Sequence, residues 1–301
     1  MENKFYGIYA ALLTPFNEKG NVCEKRLKGL VRFLISKGIN GLYVCGGTGE
    51  GLSMDIEERK KVAEIVKEEA GDRVRIIVHV GGALNTKNAV ELAKHAEMIR
   101  ADGISSIPPI YYKFNFNEIY EYYKRTAESI SLPFFIYYIP ATTGVTIPVD
   151  KFLKLLEIEN IKGLKYTNYD FYTLQDILIK AKGRWIAFSG PDEMFLPALT
   201  MGVSGCIGST QNVLPEIFVD IYKSFKGCDI KRAMELQKKI TVAVSLLKKY
   251  GDCIASWKTA LKFRGIDAGY GRSPMKETLT EEEERTFYKE WKEVFPEYIE
   301  K

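Results

Sequence analysis

Ile161-Lys162-Gly163-Leu164-Lys165-Tyr166-Thr167 is the stretch around which the chain is organised. Read as a strand, its alternation sends Ile161, Gly163, Lys165 and Thr167 to one face and Lys162, Leu164 and Tyr166 to the other. Lys165 then points into whatever interior the strand lines. Desolvation disfavours the charged form of an amine in an apolar interior, which makes such a lysine a candidate for Schiff-base chemistry with a carbonyl substrate. Taken alone, the stretch also fits a surface lysine, because lysine is seldom buried. The rest of the chain decides between the two.

Working outward, the same kind of run recurs. Gly7 to Leu13, Gly41 to Cys45, Val74 to Val80, Gly103 to Ile107, Pro133 to Tyr138, Trp185 to Ser189 and Gly205 to Ile207 are short, apolar or β-branched, and each is followed by a loop and a segment with helical spacing. Leu27, Leu30, Val31 and Leu34 mark the first helix, Val62, Ile65 and Val66 the second, and Val90, Ala93, Ala96 and Ile99 the third. Asp55 with Glu58 reads as a capping box, and Asn85 or Thr86 can cap the third helix. Eight strand–helix units predict an α/β fold of the (β/α)8 TIM-barrel type over residues 1–226. A doubly wound open sheet is the competing architecture, but no G-x-G-x-x-G fingerprint is present. Residues 227–301 hold no strand pattern. They predict a C-terminal helical extension of about three helices packed on the barrel, the last capped by Thr280 and Glu283.

Composition narrows the function. With 301 residues, 46% hydrophobic and 27% charged, the chain is an ordinary globular protein; a net charge of +4 argues neither for nor against nucleic acid, and with no Lys/Arg block interleaved with aromatics no nucleic-acid partner is expected. No apolar run approaches the roughly 20 residues that a membrane helix needs, and Met1-Glu2-Asn3-Lys4-Phe5 leads into a strand-like segment and not a signal peptide. A cytoplasmic protein is expected. Cys23, Cys45, Cys206, Cys228 and Cys253 show no metal-ligand spacing and suit reduced thiols. The two histidines, His79 and His95, read as packed side chains, so metal and histidine-triad chemistries lack parts.

In a barrel of this type the active site lies at the carboxyl ends of the strands. Those ends carry Lys165 and Thr167, Tyr137 and Tyr138, the loop Gly46-Gly47-Thr48-Gly49-Glu50, the segment Gly190-Pro191-Asp192-Glu193, and Gly208-Ser209. The glycine loop either serves only to reverse the chain or offers backbone N–H groups and the Thr48 hydroxyl to a carboxylate. Asp192 and Glu193 either cap a helix starting at Pro191 or accept hydrogen bonds from substrate hydroxyls. Tyr111 and Tyr112 suit packing, with a hydroxyl able to reach a neighbouring subunit.

Together, Gly41 to Glu50, Tyr137-Tyr138-Ile139-Pro140 with Gly144, Gly163-Leu164-Lys165 and Ile207-Gly208-Ser209 resemble the dihydrodipicolinate synthase/N-acetylneuraminate lyase family. The resemblance implies a class I aldolase without metal or other cofactor, and a homotetramer. It implies that Lys165 forms the imine with a small-molecule 2-keto acid, that Tyr137 moves the proton, and that Gly47 and Thr48 hold the carboxylate. Gly190-Pro191-Asp192-Glu193 resembles the lyase pattern for a hydroxylated tail, held together with Thr167 and Ser209. The loop Ala141-Thr142-Thr143-Gly144 lacks the arginine of the synthase branch. The resemblance therefore implies cleavage of N-acetylneuraminate to pyruvate and N-acetylmannosamine. Another 2-keto-3-deoxy sugar acid, or a condensing synthase, is the alternative within the family, and a non-catalytic keto-acid binder is the alternative outside it. Gly47 stands where the family usually has a serine or threonine that links two tyrosines, the second being Tyr111 or Tyr112 of an adjacent subunit.

Overall fold

The computed structural model describes residues 4–83, 85–251 and 254–300; Met1 to Asn3 and Cys253 of the sequence reading lie outside them. Eight strands follow one another: β1 (Gly7–Ala11), β2 (Gly41–Val44), β3 (Arg75–His79), β4 (Gly103–Ser106), β5 (Phe134–Tyr138), β6 (Ile161–Tyr166), β7 (Ile186–Ser189) and β8 (Gly205–Gly208). All are parallel and close in sequence order, β8 pairing back onto β1. This is a (β/α)8 barrel, with every predicted strand in place.

The helices are α1 (Glu24–Ser36), α2 (Ile56–Ala70), α3 (Thr86–Met98), α4 (Phe116–Glu128), α5 (Pro140–Thr143), α6 (Val149–Leu155), α7 (Phe171–Ala181), α8 (Phe195–Thr200) and α9 (Pro215–Lys226). They are followed by α10 (Ile230–Lys249), α11 (Ile254–Phe263) and α12 (Glu281–Val294). Local signals fix several starts. Asp55 and Glu58 form the capping box of α2, and Thr280 and Glu283 that of α12. Asn85, not Thr86, caps α3 by accepting from the Asn88 N–H. Of the predicted stripe Ala93 and Ala96 are buried and Val90 and Ile99 half-buried, and Ala89, Leu92 and His95 complete the buried face of α3. Among the described residues no helix is long and apolar enough to cross a membrane.

Strand alternation divides the core into two layers. Ile8, Ala10, Leu42, Val44, Ile76, Ile136, Leu164 and Tyr166 pack outward against the helices. Tyr9, Ala11, Tyr43, Ile77, Phe135, Tyr137, Phe188 and Ile207 fill the barrel interior, with Phe5 edge-on to Phe135 at 5.0 Å. Ring edges meet ring faces through this interior, as in Tyr9 on Phe188 at 5.0 Å. The interior is packed, and only its mouth is free for chemistry.

One part of the strand reading is corrected. Ile161 does not share the inner face of Lys165; it packs in the outer layer with Leu164, and Lys162 is exposed. The cause is a register shift against β5: Phe134 pairs with Ile161 but Phe135 with Gly163, so Lys162 is an extra residue. Gly163 and Lys165 keep the inner parity from there on. A Cβ on Gly163 would lie 1.9 Å from the Ile186 carbonyl oxygen, so only glycine allows β7 this close.

The last three helices are joined by aromatic packing: Phe287 of α12 stacks on Tyr250 at 4.6 Å and meets Phe263 of α11 at 5.2 Å. They are also tied to barrel loops. Gln237 of α10 donates to the Asp192 carbonyl at 3.2 Å and accepts from the Leu196 N–H at 2.8 Å.

Candidate active site

β5 and β6 place Tyr137 directly opposite Lys165, both facing inward at the carboxyl end of the barrel. The Lys165 side chain is 5% exposed, its Nζ 4.0 Å from the Tyr137 ring centre and 4.4 Å from that of Tyr43. Among the described residues no ion pair joins this amine to a carboxylate, and the Tyr137 hydroxyl makes no hydrogen bond. A buried amine between two aromatic faces, without a counter-ion, is a good nucleophile toward a carbonyl once neutral. Tyr43 is fixed from behind by donating to Ser105 Oγ at 3.0 Å, and burial holds its phenol protonated well above the ordinary range.

His79 lies under these rings, 5.9 Å from Tyr137 and 5.8 Å from Tyr43. Its Nδ1 is 3.2 Å from the Cys45 carbonyl, to which it donates, and its Nε2 accepts from the Ile107 N–H at 3.3 Å. Burial, then the Arg59 and Lys165 charges, push its pKa well below the usual histidine value. It is a neutral, packed histidine. His95 is likewise structural, meeting Glu64 at 2.8 Å.

The loop after β2 is held at both ends. The Glu50 N–H donates to the Gly47 carbonyl at 2.9 Å, and the Gly51 N–H to that of Gly46 at 3.0 Å. Among the described residues the Gly47 and Thr48 N–H groups make no hydrogen bond, which leaves two adjacent donors for an anion. A Cβ on Gly47 would meet nothing within 4 Å. The Thr48 hydroxyl lies 2.6 Å from that of Ser209 and links this loop to the end of β8.

A polar arc continues across β6, β7 and β8. Thr167 follows β6, and its buried hydroxyl has no partner among the described residues. Gly190 is there because a Cβ at that position would lie 1.7 Å from Thr167 Oγ1. Asp192 and Glu193 do not cap a helix; they form a short 3-10 turn, Asp192–Met194, ahead of α8. Asp192 is buried, and its Oδ2 accepts from the Thr210 N–H at 2.9 Å, while Oδ1 has no partner among the described residues. Burial pushes this carboxyl above the ordinary range, against the Thr210 hydrogen bonds. Glu193 Oε1 accepts from the Tyr169 hydroxyl at 2.6 Å and lies 3.5 Å from Lys248 Nζ. Its burial raises the pKa, but the Tyr169 hydroxyl, the backbone and Lys248 together bring it below the usual value. Glu193 is therefore an ionised acceptor with its second oxygen available.

The model of the dihydrodipicolinate synthetase family matches residues 4–293. The chain belongs to that family. Among its relatives, the N-acetylneuraminate lyase of Clostridium perfringens is 42% identical over 276 residues, 91% of this chain and 95% of its own. The N-acetylneuraminate lyase of Haemophilus influenzae is 39% identical over 278 residues, 92% and 94% of the two chains. Two solved structures share the whole fold. CdNal from Clostridium difficile, in complex with mannosamine, has a TM-score of 0.92 at 38% identity over 98% of this chain and 99% of that one. The dihydrodipicolinate synthase of Aquifex aeolicus has a TM-score of 0.91 at 30% identity over 99% and 100%.

Within this family member, the structure brings together Lys165 with Tyr137, Thr48 with Ser209, and Gly190 with Thr167. Tyr111 stands apart. It is 92% exposed, has a left-handed backbone (φ +79), and meets Tyr112 edge-on at 5.1 Å. Sequence reasoning missed Tyr43, Tyr169 and Thr210. Tyr43 was open to discovery, because strand alternation places it inward beside Lys165; the other two lie in loops whose pairing no local pattern reveals. Among the described residues no group of three or more His, Cys, Asp or Glu side chains is placed to hold a metal ion.

Proposed function

We propose that the protein is a class I aldolase that cleaves N-acetylneuraminate to pyruvate and N-acetylmannosamine through an imine on Lys165. The observation that carries the reading is the amine of Lys165, buried at the barrel mouth against the ring of Tyr137, with no ion pair to it and no hydrogen bond to the Tyr137 hydroxyl among the described residues. The identity to named lyases supports the choice of substrate.

The open-chain keto acid binds with its carboxylate on the Gly47 and Thr48 N–H groups and its hydroxyls along Thr167, Gly190, Asp192, Glu193 and Ser209. Neutral Lys165 attacks the C2 ketone, and loss of water gives the protonated imine. Tyr137 relays the proton from the C4 hydroxyl, with the substrate carboxylate assisting. The C4–O electrons form the aldehyde of N-acetylmannosamine, and the C3–C4 bonding pair becomes the C2–C3 double bond of the pyruvate enamine as the C=N π pair moves to the iminium nitrogen. Protonation at C3 and hydrolysis return Lys165 and release pyruvate. The iminium is the electron sink, so the scheme uses no metal and no added cofactor.

Two measurements test this. Borohydride with pyruvate is expected to leave a reduced pyruvate adduct on Lys165, and its absence would refute the imine. Pyruvate release is expected to be faster from N-acetylneuraminate than from shorter 2-keto-3-deoxy sugar acids; the reverse order would reassign the substrate. As for partners, the proposal extends to a cytoplasmic homotetramer in which Tyr111 of one copy reaches the site of the next. The exposure and left-handed backbone of Tyr111 support this, and a monomer in sedimentation would overturn it.

A further inference from the structure

Glu50, which ends the β2 loop, is fully buried and has a left-handed backbone (φ +56) that a non-glycine residue adopts only when its surroundings impose it. What imposes it comes from the far end of the chain. Lys258 of α11, itself 3% exposed, places its Nζ 2.8 Å from Glu50 Oε1 and donates to the Thr14 carbonyl at 2.7 Å and to the Tyr270 carbonyl. Its three protons are thereby used. Glu50 Oε2 accepts from the Arg272 N–H at 2.6 Å. The Thr14 hydroxyl, on the same residue whose carbonyl Lys258 holds, donates to the Gly49 carbonyl at 2.7 Å. Residues 49 and 50 are thus both tied to Lys258, one through Thr14 and one directly, while the N–H groups of the two residues before them make no hydrogen bond among the described residues.

Stability alone does not explain the arrangement. A buried ion pair is often no more stabilising than an apolar pair of the same volume, because desolvation offsets the attraction. Burial in fact pulls the Lys258 pKa below its usual value, despite Glu50. What the pair does supply is a single conformation for the loop. We propose that Lys258 is a positioning residue, acting through Glu50 and Thr14 to fix the Gly47–Thr48 donors for the substrate carboxylate, so that the C-terminal helices are part of the active site. This rests on the reading of that loop as the carboxylate site.

The test compares wild type with Lys258→Met and Thr14→Val. The pyruvate concentration that gives half-maximal borohydride labelling of Lys165 is measured beside kcat at saturating substrate. Loss of well-placed donors to a charged group corresponds to about a tenfold rise in the half-labelling concentration for Lys258→Met. A rise of about threefold is expected for Thr14→Val, which loses one neutral hydrogen bond. kcat is expected to fall less than affinity in both. Should Lys258→Met fail to fold, Thr14→Val decides, since it removes one hydroxyl and no charge. Half-labelling concentrations unchanged in the folded variants, or kcat falling alone, would overturn the inference while leaving the imine intact. An unlabelled wild type would instead bring down the reading of the site, and this inference with it.

Discussion

Tyr137 and Lys165 are register partners on neighbouring strands, and the amine of the second lies 4.0 Å from the ring centre of the first. Paired strands hold this separation through the backbone, so removing a single hydroxyl leaves the lysine in place. In Tyr137→Phe, turnover is expected to fall by roughly 10²–10⁴-fold, the usual weight of one general acid–base group. Borohydride labelling of Lys165 with pyruvate is expected to persist. Full activity in this variant would show that another group moves the proton.

Position 47 has open space where a side chain would go. Gly47→Ser is therefore expected to fold normally and to change turnover by placing a hydroxyl near the substrate carboxylate, with KM shifting less than kcat. Steady-state kinetics read both, and an unchanged rate would show that position 47 takes no part in proton transfer.

Gly190 and Thr167 are in contact so close that no side chain fits between them. Gly190→Ala is expected to displace the Thr167 hydroxyl and lower stability by about 1–3 kcal/mol, the usual range for overpacking. KM for a substrate with a long hydroxylated tail should rise more than that for a short keto acid. Equal changes for both would remove Thr167 from the tail site.

Glu193 owes its low pKa in part to the hydroxyl of Tyr169. Tyr169→Phe removes that donor, and a rise in KM of up to about tenfold is expected for the full-length sugar acid, with imine formation from pyruvate unchanged. A variant that loses pyruvate labelling instead would place Tyr169 in the chemistry.

Asp192 titrates in the opposite sense, because burial raises its folded-state pKa above the unfolded value. Its contribution is favourable while the carboxyl is protonated and is lost as pH rises through the folded pKa. Asp192→Asn is expected to be more stable than wild type at neutral pH, with the difference closing as pH falls toward the ordinary carboxylate range. Thermal melts across this range check the sign; a constant difference would mean that the carboxyl is not the cause.

The barrel was legible because its signals are local. Short apolar runs such as Phe134 to Tyr138 and capping boxes such as Asp55 with Glu58 state their own structure, and the strand ends locate the site. What escaped reading depends on partners distant in sequence. Lys258 looks like any helix lysine until α11 is seen against Glu50, 208 positions earlier. The extra residue at Lys162 exists only with respect to β5. Arg59, on the face of α2 that carries Val62 and Val66, is buried and donates to the His79 and Gly81 carbonyls, a pairing no local pattern states.

The extra residue in β6 also governs which length changes the chain can survive. Lys162 is spare: shortening the chain there would restore unbroken pairing with β5 and leave the amine aimed at the lumen. Shortening it at Leu164 removes the same single residue between Ile161 and Lys165 and keeps the amine inward, but it puts Lys162 in the place of Gly163, where a side chain would meet the Ile186 carbonyl oxygen. Of two deletions in one short strand, both repair its frame, and only the first leaves β7 the glycine it packs against.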